Sequence, residues 1–436
     1  MNPLARCAAF LVLLALSAPA TAQLVTGRFS TAFYAWEKYD TVKTSSTYWR
    51  AFQNVQLTVG QRNVSLHTYI QGAMNASSQF GDRGRLRVFN LYLRWADIFK
   101  AVDLSLGRQA IFAGVGNGTI DGLQAKLRLF GDALSVTAYG GATVVPELGR
   151  VRSDFKDNSM MGAQVLLHPL SSLRLGLSYV NRHQERDPYW AVRVRDTSYA
   201  PVLFLVENPS EADQYASADA AYNWGSKLSL YGRFDYDLNL EKASRAEVSA
   251  RVGLVPGLAL TGFYIHRVPR IDYTSIFWVF PVTSVDEIEG GLEYSVSRYV
   301  RAFGRFANVA YTDDKSHRWT IGVNANYASL SYSGSDGYAG QLQSFSAQGA
   351  YPVFENTVIP TLGVSVVSYR LSSQQSDRDL AFSLAFGATF RPSRTFSFDA
   401  QWQMLHNKVT DGDGRLMVKL NYWFAERLPF FGQEGK

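Results

Sequence analysis

Six histidines, His67, His168, His183, His266, His317 and His406, are the side chains of this sequence best suited to moving protons near neutral pH. No two of them stand at a spacing that builds a metal site or a catalytic pair. The HExxH, GxSxG and phosphate-loop patterns are absent. His406 with Asp411 and Asp413 is the nearest approach to a hydrolytic grouping. The Asp411-Gly-Asp413-Gly run reads equally well as a plain turn or as a calcium loop lacking the full EF-hand pattern. The single cysteine, Cys7, rules out a disulfide framework and a thiolate metal site in the rest of the chain. These residues predict neither catalysis nor a cofactor.

The remaining chemistry is that of charge set among apolar neighbours. In GLQAKLRLF, Lys126 and Arg128 alternate with Leu123, Ala125, Leu127 and Leu129. In SSLRLGLSYV, Arg174 opposes Leu173, Leu175 and Leu177. In RAEVSARVGL, Glu247 and Arg251 oppose Ala246, Val248, Ala250 and Val252. In TFSFDAQWQML, Asp399 lies between Phe398 and Ala400. Arg94, Asp103, Arg233 and Asp235 sit in runs of the same kind. If these ten residues share one wet surface, opposed charges across a narrow bore would order polar solutes, and rings of one sign would select ions. The alternative is simple solvation of an inner wall. The overall charge of +6 is scattered, without the basic block that nucleic-acid binding calls for.

The elements that could present such a surface have period two, which means strands with one apolar and one polar face. Aromatics make up 14% of the chain, dominated by Tyr and Phe, which also favours strands. About twenty such runs follow one another with no helical period between them, so parallel βαβ architecture is excluded. The connections alternate in kind. Short turns fall at 60–63, 131–132, 168–172, 224–226, 255–257, 297–298 and 391–393. The other connections are usually longer and polar, at 37–47, 77–85, 143–157, 184–213, 268–284, 312–317, 371–379 and 408–413. This parity holds to the end of the chain only with an extra hairpin near Tyr327-Ala328-Ser329, giving a best count of 22 strands within a range of 18 to 22. The last strand is placed at about 414–424, with a short extension over 425–436.

Residues 1–22 carry Arg6, the apolar run AAFLVLLALSA and a small-x-small ending at Ala20-Thr-Ala22, the layout of a cleaved export signal. The mature part, 23–436, reads as one domain. A soluble sandwich also alternates apolar and polar faces, but three features favour a lipid-facing exterior. The strands reach about 10–13 residues, against the ~5–6 usual in soluble proteins. The second face is polar in nearly every strand, and aromatics (Trp95, Phe130, Trp224, Phe390, Phe424) rim the short turns. Lipid offers the backbone no hydrogen bonds, so strands in it must close into a barrel.

Together the export signal, alternating strands, short and long connections, and an aromatic ending at Tyr422-Trp-Phe424 resemble the outer-membrane porins of Gram-negative bacteria. That resemblance implies an all-β, transmembrane, antiparallel up-and-down barrel with short periplasmic turns and long extracellular loops. It also implies outer-membrane lipid, lipopolysaccharide and the barrel-assembly machinery as partners, and leaves a homo-oligomer open. The stretch LSLGRQAIFAGVGNGTIDGLQA is similar to a hairpin of alginate-export-type barrels through Gly107, Arg108, Gln109, Asp121 and Gly122, although a Gly-rich tight turn accounts for the same residues. The expected function is passive conduction of small hydrophilic solutes or ions through a mildly basic lumen. The rivals are export of an acidic polysaccharide, and a sheath around a partner such as an electron-transfer cytochrome. Segment 184–213, with Arg193 and Arg195 against Glu207, Glu211 and Asp213, is expected to fold inward as a constriction. Segment 268–284, which contains SIFWVFPV, is expected to cap the mouth or to touch lipopolysaccharide or a neighbouring subunit.

Overall fold

The structure is a computed structural model that describes residues 23–39, 45–75, 84–144, 155–185, 188–194, 201–206, 212–269, 284–312, 314–337, 340–371, 377–409 and 412–428. The export-signal residues 1–22, most of segment 268–284, and Arg195, Glu207 and Glu211 lie outside the described residues.

Period two becomes strand throughout. In chain order the strands are β1 (Gln23–Tyr39), β2 (Ser45–Gln61), β3 (Val64–Asn75), β4 (Arg85–Ile98), β5 (Val102–Ala113), β6 (Gly116–Leu129), β7 (Leu134–Thr143) and β8 (Ser159–Leu170). They continue with β9 (Leu173–His183), β10 (Tyr189–Val194), β11 (Pro201–Val206), β12 (Ala212–Trp224), β13 (Leu228–Asp237), β14 (Lys242–Val255), β15 (Leu258–Arg267) and β16 (Val285–Ser295). The last eight are β17 (Val300–Ala310), β18 (Lys315–Ala325), β19 (Ala328–Gly337), β20 (Gly340–Ala350), β21 (Val358–Arg370), β22 (Asp379–Ser393), β23 (Phe396–His406) and β24 (Asp413–Leu428).

Each wall strand pairs antiparallel with the next, β9 passes directly to β12, and β24 closes on β1 from Gln23↔Leu428 to Trp36↔Arg415. The result is a closed meander of 22 strands, with β10 and β11 forming a separate hairpin. Closure gives every wall strand a partner on both sides and leaves no edge strand, although the β4–β5 ladder ends at Leu91↔Arg108. At ~4.8 Å between strands and a tilt of ~40°, the wall measures about 140 Å around, too wide for side chains alone to fill.

The extra hairpin required by turn parity is present, with β18 and β19 joined through 326–327. The last strand runs four residues beyond its expected end, because Ala425, Glu426, Arg427 and Leu428 pair with the start of β1. One end of the barrel carries turns such as 62–63, 171–172 and 394–395. Left-handed φ values at Arg62 (49°), Asp132 (70°) and Gly257 (85°) tighten three of these turns. The opposite end carries the longer connections, though Gly114-Val115 joins β5 to β6 there with only two residues.

The two faces of the wall differ as the alternation requires. Outward positions leave Leu106 53%, Leu177 62%, Val248 51%, Ile288 63%, Phe306 55% and Phe386 51% exposed. Trp95, Phe99, Phe130, Trp224 and Phe390 stand exposed around the short-turn end, and Phe424 stacks on Phe29 there at 5.5 Å. Inward positions hold Asp103, Ser135, Thr137, Asp235, Ser397 and Asn421, all buried.

Candidate functional site: the inner wall and its hairpin

By register, all ten charged residues singled out in the sequence fall on the inward face, where they form neighbourhoods of paired charge. At the short-turn end, Arg94 Nη2 donates to Asp103 Oδ2 at 3.0 Å and Arg128 Nη2 to Asp103 Oδ1 at 3.1 Å, while the backbone N–H of Asp97 donates to the same carboxylate at 2.9 Å. Lys126, opposite Asp103 in register, forms no ion pair among the described residues because Asp103 is already engaged. Arg94, Asp103 and Lys126 border a recess of about 380 Å³ together with Tyr92 and Gln124.

A second series runs along β9 and β12 to β18. Arg174 reaches Asp219 at 3.2 Å, Arg182 reaches Asp213 at 2.7 Å and Arg233 reaches Asp235 at 2.8 Å. Arg245 pairs with Glu247. Glu293 on β16 bridges Arg251 of β14 at 3.3 Å and Arg305 of β17 at 3.5 Å. The bridge to Arg251 crosses β15, whose inward Ala259 is small enough to pass beneath it and is only 2% exposed. Arg318 pairs with Glu287 and, at 3.3 Å, with Glu289. Most of these arginines are partly exposed, so each pair adds little to stability. Their effect is on the potential of the wall, where positive and negative groups alternate from strand to strand.

Asp399 belongs to a different neighbourhood. It accepts from Thr389 Oγ1 at 2.6 Å and from Asn421 Nδ2 at 2.9 Å. Asn421 in turn accepts from Arg28 Nη2 at 2.6 Å, and the Arg28 guanidinium lies 5.2 Å from the Trp423 ring centroid. Beside them His67 stacks on Tyr92 at 4.8 Å, with its ring nitrogens near Thr58 Oγ1 and Ser65 Oγ. On β19 and β20 the inward face carries no charge, and Ser331–Ser346 and Ser333–Ser344 are hydroxyl pairs at 2.7 Å. The inner wall thus has a charged sector, a hydroxyl sector and an aromatic–amide sector.

Sequence reasoning missed Asp219, Arg245, Glu287, Glu289, Glu293, Arg305 and Arg318. The signal for the glutamates was present, since Glu287 and Glu289 flank Ile288, and Glu293 lies between Leu292 and Tyr294.

Segment 184–213 was the expected constriction. Its described part includes the β10–β11 hairpin, which carries Arg193 and pairs with no described wall strand, and the start of β12, where Asp213 is held on the wall by Arg182. Among the described residues, the element that narrows the lumen is the β5–β6 hairpin. Its tip leaves the wall and lies across the inner faces of β7, β8 and β9. Ile111 and Ile120 are fully buried there against Tyr139, Met160 and Val180. The backbone N–H of Val115 donates to Ser178 Oγ on β9 at 2.9 Å. The glycines of the tip make this approach possible. A Cβ on Gly116 would fall 1.8 Å from Tyr139 Oη, and one on Gly114 would fall 2.1 Å from Ser178 Oγ. The Gly-rich stretch is therefore both a tight turn and a packing surface.

At the fork where the hairpin departs, Gly107 has φ +126°, and a Cβ there would meet the Leu91 carbonyl oxygen at 2.4 Å. Arg108 Nε and Nη2 donate to Asp121 Oδ1 and Oδ2 at 2.8 Å each, a two-pronged geometry favoured by the planar guanidinium. Arg108 Nη1 also donates to the Val88 carbonyl at 3.3 Å. Gln109 Nε2 donates to the carbonyls of Ser105 and Gly122 at 3.1 and 3.3 Å. The residues that carried the alginate-export-type resemblance are thus the ones that fix this fork.

No family model and no curated protein matches the chain. Solved structures with a similar fold include the translocation pore of the P pilus usher PapC, at 9% identity and TM-score 0.49 over 92% of this chain and 99% of that one. Others are OccAB1 of Acinetobacter baumannii, at 8% identity and TM-score 0.43 over 94% and 99%, and the outer-membrane protein OpdK of Pseudomonas aeruginosa, at 9% and 0.42 over 93% and 99%.

Proposed function

We propose that this barrel is an outer-membrane channel through which small hydrophilic solutes or ions diffuse. The observation that carries this reading is the division of one continuous wall into an apolar outer face and an inner face of ion pairs, hydroxyls and amides. An exterior of exposed Leu, Ile, Val and Phe matches hydrocarbon, and a ~25 Å apolar band needs about ten tilted residues per strand. The charged inner face requires water. Residues 1–22 would direct export and be removed. Lipid, lipopolysaccharide and the barrel-assembly machinery would be the partners on the outside.

Arg94, Asp103, Lys126, Arg128, Arg174, Arg233, Asp235, Glu247, Arg251 and Asp399 line the solute path in this reading, joined by Glu287, Glu289, Glu293, Arg305 and Arg318. Because most of these cations are paired, ion selectivity is weak in this reading and rests on Lys126, which has no ion pair among the described residues. Segment 184–213, with Arg193, Arg195, Glu207 and Glu211, would supply a second narrowing in this reading. A hairpin already lying in the lumen weighs against a bare sheath around a partner protein. Liposome swelling with sugars of graded size tests the proposal. Fast swelling with pentoses that slows with increasing sugar size supports a water-filled channel, and no swelling with any sugar, from liposomes holding folded barrel, overturns it.

A further inference from the structure

The ladder between β4 and β5 stops early. Pairing runs from Ile98↔Val102 to Leu91↔Arg108, yet β4 extends back to Arg85 and β5 extends on to Ala113. On the far side of the hairpin, β6 stays paired with β7 as far as Ile120↔Thr143, and the Val144 N–H reaches the Thr119 carbonyl at 3.1 Å. The hairpin has therefore been drawn toward β7–β9 and away from β4.

The consequence is visible at Ala110. By alternation it shares the face of Leu106 and Phe112, the outward face of β5, and it is exposed as they are. It nonetheless borders the recess lined by the inward residues Tyr92, Arg94, Asp103, Gln124 and Lys126. Ala110 thus reaches the recess beside the stretch of seam where no described strand pairs with β4 beyond Leu91 on this side.

We infer that the loop-end half of the β4–β5 seam is a lateral port between the lumen and the membrane, taking amphipathic molecules with one apolar tail. The inference rests on the membrane-barrel reading above. Non-helical backbone at membrane depth persists only beside a water-filled cavity or a protein contact, so an open seam needs water or an occupant in it. Both sides of the seam carry exposed apolar side chains, Leu86 of β4 at 51% and Phe112 of the hairpin at 79%. Beneath the hairpin lies the apolar cluster of Ile111, Ile120, Met160 and Val180. The foot of the seam is polar, held by Arg108 through Asp121 and the Val88 carbonyl. A seam with apolar sides and a polar foot fits a molecule with a hydrocarbon tail and a hydrophilic head better than it fits a sugar.

Bimane attached to single cysteines tests the port in liposomes containing brominated acyl chains, with iodide as the aqueous quencher. Leu106→Cys, on the outward face of the paired region, should be quenched by bromolipid alone. Ser105→Cys, on the inward face, should be quenched by iodide alone. Ala110→Cys should respond to both, with bromolipid quenching about half or more of that at Leu106→Cys. Dodecanoate should then lower iodide quenching at Ala110→Cys, and glucose should not. If Ala110→Cys behaves like Ser105→Cys or Leu106→Cys, responding to one quencher only, the port is refuted. If dodecanoate gives no protection, the assignment of occupant is refuted. If bromolipid fails at Leu106→Cys, the membrane reading itself fails, an outcome distinct from loss of the port. A disulfide assay checks the seam without any label. Arg94 and Ser105 are opposed in register, and continuing that register would oppose Asn90 and Gln109. Arg94→Cys/Ser105→Cys should oxidise readily and Asn90→Cys/Gln109→Cys should not; equal oxidation of the two pairs would mean the seam is zipped.

Discussion

Glu293 holds two arginines from two different strands. Replacing it with Gln leaves Arg251 and Arg305 without their carboxylate while keeping its volume. In a bilayer under a KCl gradient, Glu293→Gln should move the reversal potential toward that of chloride. Lys126→Glu should move it the other way, because an ammonium with no ion pair among the described residues becomes a carboxylate beside Asp103. No movement in either variant would place these residues outside the zone that selects ions. That the ten charged residues share one face was legible in the sequence, since alternation with Leu, Val, Ala and Phe fixes the face of each. Which charge meets which was not. Arg251 and Glu293 belong to strands two apart in the wall, and Arg174 and Asp219 are brought together only when β9 pairs with β12. Those partnerships depend on register, which alternation within one strand leaves free.

The β5–β6 hairpin shows the same limit for a whole element. Its residues alternate like those of any wall strand, so periodicity cannot say that its tip leaves the wall. The clue was the glycine cluster at 114–118, which marks close backbone approach as well as a turn. Gly116→Val tests the packing directly, because its side chain would overlap the Tyr139 ring and lift the tip from the inner wall. The variant should remain a folded barrel, judged by heat-dependent mobility on a gel, and should conduct more than the parent. An unchanged conductance in a folded Gly116→Val barrel would mean that the tip does not narrow the path. The 22-strand count, by contrast, was accessible from turn parity, because each short turn must be followed by a connection at the opposite end before the next one can form.

For the molecule as a whole, the hydrophobic effect is turned outward. Large apolar side chains stand exposed over most of the circumference, and the described apolar core is the small cluster beneath the hairpin. Such a surface would aggregate in water and is at rest in hydrocarbon. Val248, near the middle of β14 on the outer face, is a suitable probe. Val248→Arg should lower unfolding stability in lipid vesicles by about 2–4 kcal/mol, the cost of a cation at mid-membrane. A change below ~0.5 kcal/mol would indicate that this face meets water.

The most direct test is single-channel recording of the purified, folded barrel in planar bilayers. A wall that is apolar outside, charged inside and closed from β1 to β24 predicts stepwise, ohmic currents that rise with salt concentration. Insertion of folded barrels that carry no current in molar KCl would contradict the account.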